Sequence, residues 1–219
     1  MNLDTDLLRE LSDLFVSDLR ASQYYNQLSS DERVSLEHRL ARDAARGSRP
    51  LLPGALPEDI ERTEQVAQDE LGIHLPNELC EIFDEVDGFS ENGVSLYGAE
   101  QDLPDQQAYG PTLVAENLSL WSLLPETAEK YLFIGDSDLW YFGFALETKQ
   151  YVVLSRSSLD PVHSFGSVAE MVNDMLKQAL RIDLDGDTES TPVPNTRPTA
   201  NVRQGISSLH DGINTSNVP

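Results

Sequence analysis

The 219-residue chain has a single cysteine, Cys80, which excludes an internal disulfide framework and any zinc site built from several thiolates. No apolar run approaches the roughly 18–20 residues a membrane-spanning helix needs. The first residues carry Asp4, Asp6 and Asp13 where a secretory leader would carry bases. These absences lead us to expect a cytoplasmic protein in reducing surroundings. Bases are scarce as well: 15 Lys and Arg face 38 Asp and Glu, a net charge of −23. Phosphate binding depends on clustered Lys and Arg that displace counterions, so direct binding to nucleic acid or to an anionic membrane is disfavoured. Hydrophobic residues make up 39% of the chain, below the roughly 45–50% of compact soluble domains, so part of it is expected to stay outside the core.

The shortage of bases is local. Between Arg62 and Lys130 there is no Lys or Arg, while 15 acids occur. Residues 57–182 hold 24 acids against 6 bases, whereas 1–56 is nearly balanced, with 9 against 7. Arg33, Arg39, Arg42, Arg46 and Arg49 fall in one stretch of that first part. A surface field of one sign destabilises the compact state by self-repulsion unless something offsets it. A cationic partner would. The alternative is adaptation to salt or a generally acidic proteome, whose weakness is locality: a salt-adapted chain is expected to be acidic throughout, whereas this stretch is rich in arginine.

Leu3, Leu7, Leu8, Leu11, Leu14, Phe15 and Leu19 recur at three- and four-residue spacings, which predicts an amphipathic helix over the first twenty residues. A second helix is expected from near Ser29, with Glu32 at capping-box spacing, running toward Gly47. Proline and glycine in 48–54 then break the pattern. We therefore expect a helical extension over 1–48 and a linker over 49–56. Pro57 at a first helical position, acids in the first turn and Gly72 as a stop describe a third helix. A fourth follows from Pro76, with Leu79, Ile82, Phe83 and Val86 as its buried stripe and Gly88 ending it.

Beyond Gly93 strands are expected: Val94 to Tyr97, then, after a long polar excursion from Gly98 to Pro125, Tyr131 to Gly135, Leu139 to Leu146 and Gln150 to Ser155. Glu147-Thr-Lys-Gln150 reads as a hairpin turn, so the sheet is antiparallel. Leu139 to Leu146 is apolar on both faces, as a strand covered on both sides would be. Ser167-Val-Ala-Glu170 has capping-box spacing and opens a last helix striped by Val168, Met171, Val172, Met175, Leu176 and Ala179. From Asp183 onward no aromatic occurs, and Ser, Thr, Pro, Asn and Gly dominate. Such a tail cannot bury enough apolar area to offset its ordering entropy, so 183–219 is expected to be disordered.

No catalytic or metal arrangement survives inspection. Cys80 and His74 are close in sequence, yet they fall across a Pro-started helix with no orienting third residue. His38 and His163 form no pair with metal-ligand spacing. In Asp183-Leu-Asp-Gly-Asp187 the glycine falls fourth, and Pro194 stands where a calcium loop needs Glu. Gly135-Asp-Ser-Asp138 reads as a tight turn joining two strands. We expect no enzyme and no cofactor.

The order of helix, Leu71-Gly72-Ile73-His74-Leu75-Pro76, helix, Asp87-Gly88, strands, then Ser164-Phe165-Gly166-Ser167 before a final helix resembles the SUKH superfamily, and within it the YrhA-like proteins. The resemblance covers 57–182; the long excursion and residues 1–56 depart from the family pattern. It implies an α+β domain, a twisted, mainly antiparallel sheet with helices packed on it, used as a binding scaffold. It also implies an immunity protein that neutralises a toxin, often a nuclease, or alternatively a regulatory protein-interaction scaffold with cellular partners. The charge favours the first, because a nuclease must be basic to hold phosphate and an acidic partner would associate with it by steering. The expected partner is thus a basic cognate toxin. Its docking surface is expected on the outward acids of the helix after Pro76 and on the strand-turn edge near it: Glu81, Asp84, Glu85, Asp87, Glu91, Asp102, Asp105, Asp136 and Asp138.

Overall fold

The computed structural model describes residues 2–46, 49–101 and 110–182. The expected tail, 183–219, and two of the expected site residues, Asp102 and Asp105, lie outside them. Helices α1 (Thr5–Ala21), α2 (Gln23–Gln27), α3 (Ser30–Ala45), α4 (Pro57–Val66) and α5 (Asn77–Glu85) precede the first strands, β1 (Phe89–Glu91) and β2 (Val94–Leu96). Then come α6 (Leu113–Leu123), strands β3 (Tyr131–Ser137), β4 (Trp140–Ala145), β5 (Gln150–Ser155) and β6 (Pro161–Phe165), and α7 (Val168–Ala179). The six strands pair antiparallel in chain order, β1 to β6, as an open meander. The fold is α+β.

Local signals account for most helix ends. The Ser29 hydroxyl accepts the Glu32 amide proton while Glu32 reaches back to the Ser29 amide, a reciprocal capping box. Helix α4 begins on Pro57, runs into a wider turn over Ala67–Leu71 and stops at Gly72, whose φ of 71° is a left-handed conformation glycine adopts without a Cβ penalty. At α7 the box is only half formed. Ser167 caps Glu170, but the Glu170 carboxylate takes the Gly166 amide instead of the Ser167 one.

Four elements differ from the sequence reading. The excursion from Gly98 to Pro125 contains α6, whose Leu113, Val114, Leu118, Leu120 and Leu123 ring the helix instead of striping it, so no helical period was visible. Gly135 to Ser137 is strand and not turn, because Asp136 pairs with Ser95 on one side and Tyr141 on the other. Strands β1 and β6 were not anticipated; β6 is exposed nearly throughout and lacks an alternating pattern. Residues 49–56, expected as a linker, are docked: Leu52 and Ala55 are buried, and Ala55 donates to the Phe83 carbonyl.

One core unites these parts. Leu7, Leu8 and Leu11 of α1 belong to the same buried cluster as Phe83, Phe142 and Met175. Helix α7 crosses one face of the sheet, meeting β2 and β6, and α1 packs on α7. The approach of α7 is close: a Cβ on Gly135 would lie 2.5 Å from Met175 Cε and 2.3 Å from the Ser95 carbonyl oxygen. On the other face the rings of Tyr131, Phe133 and Tyr141 pack tilted against one another, with centroid distances of 6.4 and 5.1 Å.

Helix α6 closes an open backbone edge. Strand β2 pairs with β3 only against Gly135–Ser137, so the first half of β3 has no neighbouring strand on that side. Buried amide groups left there would be costly. Asn117 supplies the missing partner: its Oδ1 accepts the Phe133 amide at 2.8 Å and its Nδ2 donates to the Phe133 carbonyl at 2.7 Å. One helical turn on, Trp121 Nε1 donates to the Tyr131 carbonyl. The N-terminus of α6 is capped from far off, by Glu100 Oε1 accepting the Val114 amide.

Candidate interaction surface

The hairpin of α4 and α5 carries ten acids against one arginine between Pro57 and Val86. That arginine, Arg62, is already held by Asp59 at 2.8 Å. Apolar spacing turns Leu79, Ile82 and Phe83 into the core and leaves the acids outside. Glu81 and Asp84 are exposed and make no ion pair among the described residues. Glu85 is half-buried and pairs with Arg49 at 3.3 Å; the same guanidinium donates to the Glu85 carbonyl, capping the C-terminal end of α5.

The remaining described acids are placed elsewhere. Asp87 turns inward: its two oxygens accept the Ala99 amide at 2.7 Å and the Gln101 side-chain amide at 2.8 Å. Burial raises its pKa, against the lowering effect of those bonds. It therefore organises the chain after β2 and presents no free carboxylate. Glu91 lies half-buried on β1 opposite Val94. Asp138 is exposed beside Gly93 of the β1–β2 turn.

Asp136 is half-buried in β3 and bonded to Arg156 at 3.1 Å. Burial raises its pKa, and Arg156 opposes the shift. Arg156 also donates to the Ser137 carbonyl and lies 4.7 Å from the centre of the Tyr141 ring, so one side chain ties the β3–β4 turn to the end of β5. Tyr97, fully buried nearby, has its pKa pushed far up by burial and by the neighbouring Asp136 and Glu116 charges. The structure thus brings together Glu81, Asp84 and Glu85 on one helix, and groups Asp136 and Asp138 at the end of the sheet.

No family model, no curated protein and no solved structure matches the chain.

The chemistry the surface offers is charge. His74 points its Nδ1 at Glu64, 3.1 Å away, and Glu64 also accepts the Leu75 amide. Cys80 is half-buried, with its thiol pKa raised by burial and by Glu64 and Glu81, the opposite of what a nucleophile needs. Among the described residues no three His, Cys, Asp or Glu side chains converge as metal ligands. A cavity of about 520 Å³ is lined by Leu52, Asp87, Phe89, Ala99 and Thr112, and its one carboxylate among the described residues is the Asp87 already engaged. No helix among the described residues is long and apolar enough to cross a membrane.

Sequence reasoning missed Arg49 and Arg156, the two cations that hold Glu85 and Asp136. They lie 36 and 20 residues from those partners, and no local pattern joins such positions.

Proposed function

We propose that the protein is a non-catalytic immunity protein that binds a basic bacterial toxin of the nuclease type and covers its phosphate-binding surface. The observation that carries this reading is the acidic outer face of the α4–α5 hairpin, where Glu81 and Asp84 stand exposed and without an ion pair among the described residues. Such a face costs the free protein self-repulsion. A partner rich in Lys and Arg relieves it and is drawn in quickly by the same field. The SUKH-type order of motifs supports the same class of protein. On this reading it acts in the cytoplasm, where a nuclease finds its substrate, and the helices serve as a rigid platform for charge.

The test is co-expression with the toxin encoded beside it, followed by isolation of the pair. Protection and a stable complex are expected. The double variant Glu81→Gln with Asp84→Asn should keep the fold and lose at least tenfold in affinity, with most of the loss in the association rate and with weaker salt dependence. Unchanged toxicity together with no complex would refute the reading. Recovery of a stable set of cellular partners without any toxin would favour a regulatory scaffold instead.

A further inference from the structure

Helix α3 is a poorly supported element in an otherwise well-packed chain. It runs for 16 residues yet buries only Leu40, and Val34 is 54% exposed. A helix of that length is marginal without tertiary packing. Its anchoring is polar: Glu37, at mid-helix, receives both the Arg20 guanidinium and the Tyr25 hydroxyl. Its outer flank is basic, in a molecule of charge −23. Arg39, Arg42 and Arg46 are all exposed; Arg39 and Arg46 make no ion pair among the described residues, and Arg42 makes only a 3.7 Å contact with adjacent Asp43.

The spacing of these arginines has a counterpart. Positions 39, 42 and 46 step by three and then four residues, which places them within an arc of about 60° on one flank of the helix. Glu78, Glu81 and Glu85 on α5 step by three and then four in the same chain direction and occupy an arc of about the same width. With a rise of about 1.5 Å per residue, the two ladders match rung for rung between parallel helices. Chemical precedent lies within the chain itself, where Arg49, the next arginine after this ladder, is the group that binds Glu85.

We infer that α3 of one copy docks along α5 of a second copy, Arg39 and Arg42 facing Glu78 and Glu81 and Arg46 lying beside the Arg49–Glu85 pair, so that the free protein is a two-fold dimer with both ladders used twice. Such an interface is isologous and closes on itself. It offsets part of the repulsion at the acidic face, and a more basic partner would have to displace it. The inference does not depend on which partner that is, because the dimer is read in the protein alone.

The experiment is sedimentation equilibrium of the full-length chain, with circular dichroism to confirm that each variant is folded. The expected mass is twice that of one chain. The variant Arg39→Glu, Arg42→Glu, Arg46→Glu should be monomeric. So should Glu78→Arg with Glu81→Arg, which leaves Glu85 on Arg49. Mixing the two should restore a dimer containing one chain of each, since the 39–78 and 42–81 rungs of both contacts then join opposite charges. Should reversal perturb α3, the neutral set Arg39→Gln, Arg42→Gln, Arg46→Gln should still weaken the dimer at least tenfold. A wild-type chain that is monomeric at every concentration, a dimer indifferent to these changes, or folded variants that stay monomeric when mixed would overturn the inference.

Discussion

Asn117 satisfies its whole side-chain amide inside the protein. It accepts from Phe133 and donates to Phe133 and Leu113, standing in for a strand that β2 is too short to supply. Asn117→Ala would leave a buried amide and a buried carbonyl of β3 unpaired, at about 1–3 kcal/mol for each. We expect chemical denaturation to show a total loss of about 2–6 kcal/mol; a loss under about 1 kcal/mol would mean that water replaces the side chain. Gly135 is constrained by space instead of bonding. A methyl group there meets Ser95 and Met175 well inside van der Waals contact. Gly135→Ala should therefore destabilise by about 3 kcal/mol or more, since part of what it meets is backbone that cannot rotate away.

Helices α1 and α5 illustrate how one stripe of apolar residues decides where an element sits. Leu8 and Leu11 are fully buried and share the core with Phe83, so the first helix is part of the packed domain. Leu8→Ala should cost about 2–5 kcal/mol in unfolding free energy and Phe83→Ala about 3–5 kcal/mol. By contrast Glu81→Gln with Asp84→Asn, measured at protein concentrations dilute enough for the chain to be monomeric, removes two exposed like charges from a crowded helix face. Its denaturation midpoint should stay level or rise slightly. A marked fall would mean that these acids serve the fold, and the proposed binding surface would then have to be abandoned.

Across the whole molecule, proton binding favours the folded state on mild acidification. Asp87, Glu116 and Asp136 all have raised pKa values, with burial the largest cause for each. Folded chains therefore hold these protons more tightly than unfolded ones. The stability they confer is complete below the ordinary carboxylate range and is lost as pH rises through the raised values. Glu37 behaves in the opposite sense: its bonds from Arg20 and Tyr25 lower its pKa from 4.5 to about 2. Its contribution is present above the ordinary value and is lost only as pH falls toward about 2. Thermal unfolding should accordingly show a Tm that falls as pH rises out of the carboxylate range toward pH 8, and growing self-repulsion acts in the same direction. The Glu116 carboxylate makes no hydrogen bond or ion pair among the described residues, so Glu116→Gln should raise Tm at pH 8 and flatten the profile. A Tm that rises steadily with pH over this range would contradict this account.

The sequence by itself determined the elements whose signals are local. Apolar spacing in α1, α5 and α7, the Ser29–Glu32 box, Pro57, Gly72 and the alternation and turn around Glu147 all act within a few residues, where helix geometry or strand pleat fixes which side chains share a face. The acidic face of α5 was legible for the same reason, since the buried stripe of Leu79, Ile82 and Phe83 dictates what lies opposite. Tertiary structure decided what depends on distant partners. Helix α6 exists because Glu100 caps it and β3 needs Asn117, and its all-round apolar sequence carried no period. Strand β6 is held by pairing with β5 and by its contact with α7, without a burial pattern of its own. Asp87 and Asp136 looked like surface acids until the fold buried them beside Ala99 and Arg156, because a carboxylate reads the same in sequence whether it faces water or a backbone amide. Chain entropy hides such long-range pairs from any local pattern; they form only once the core has brought their elements together.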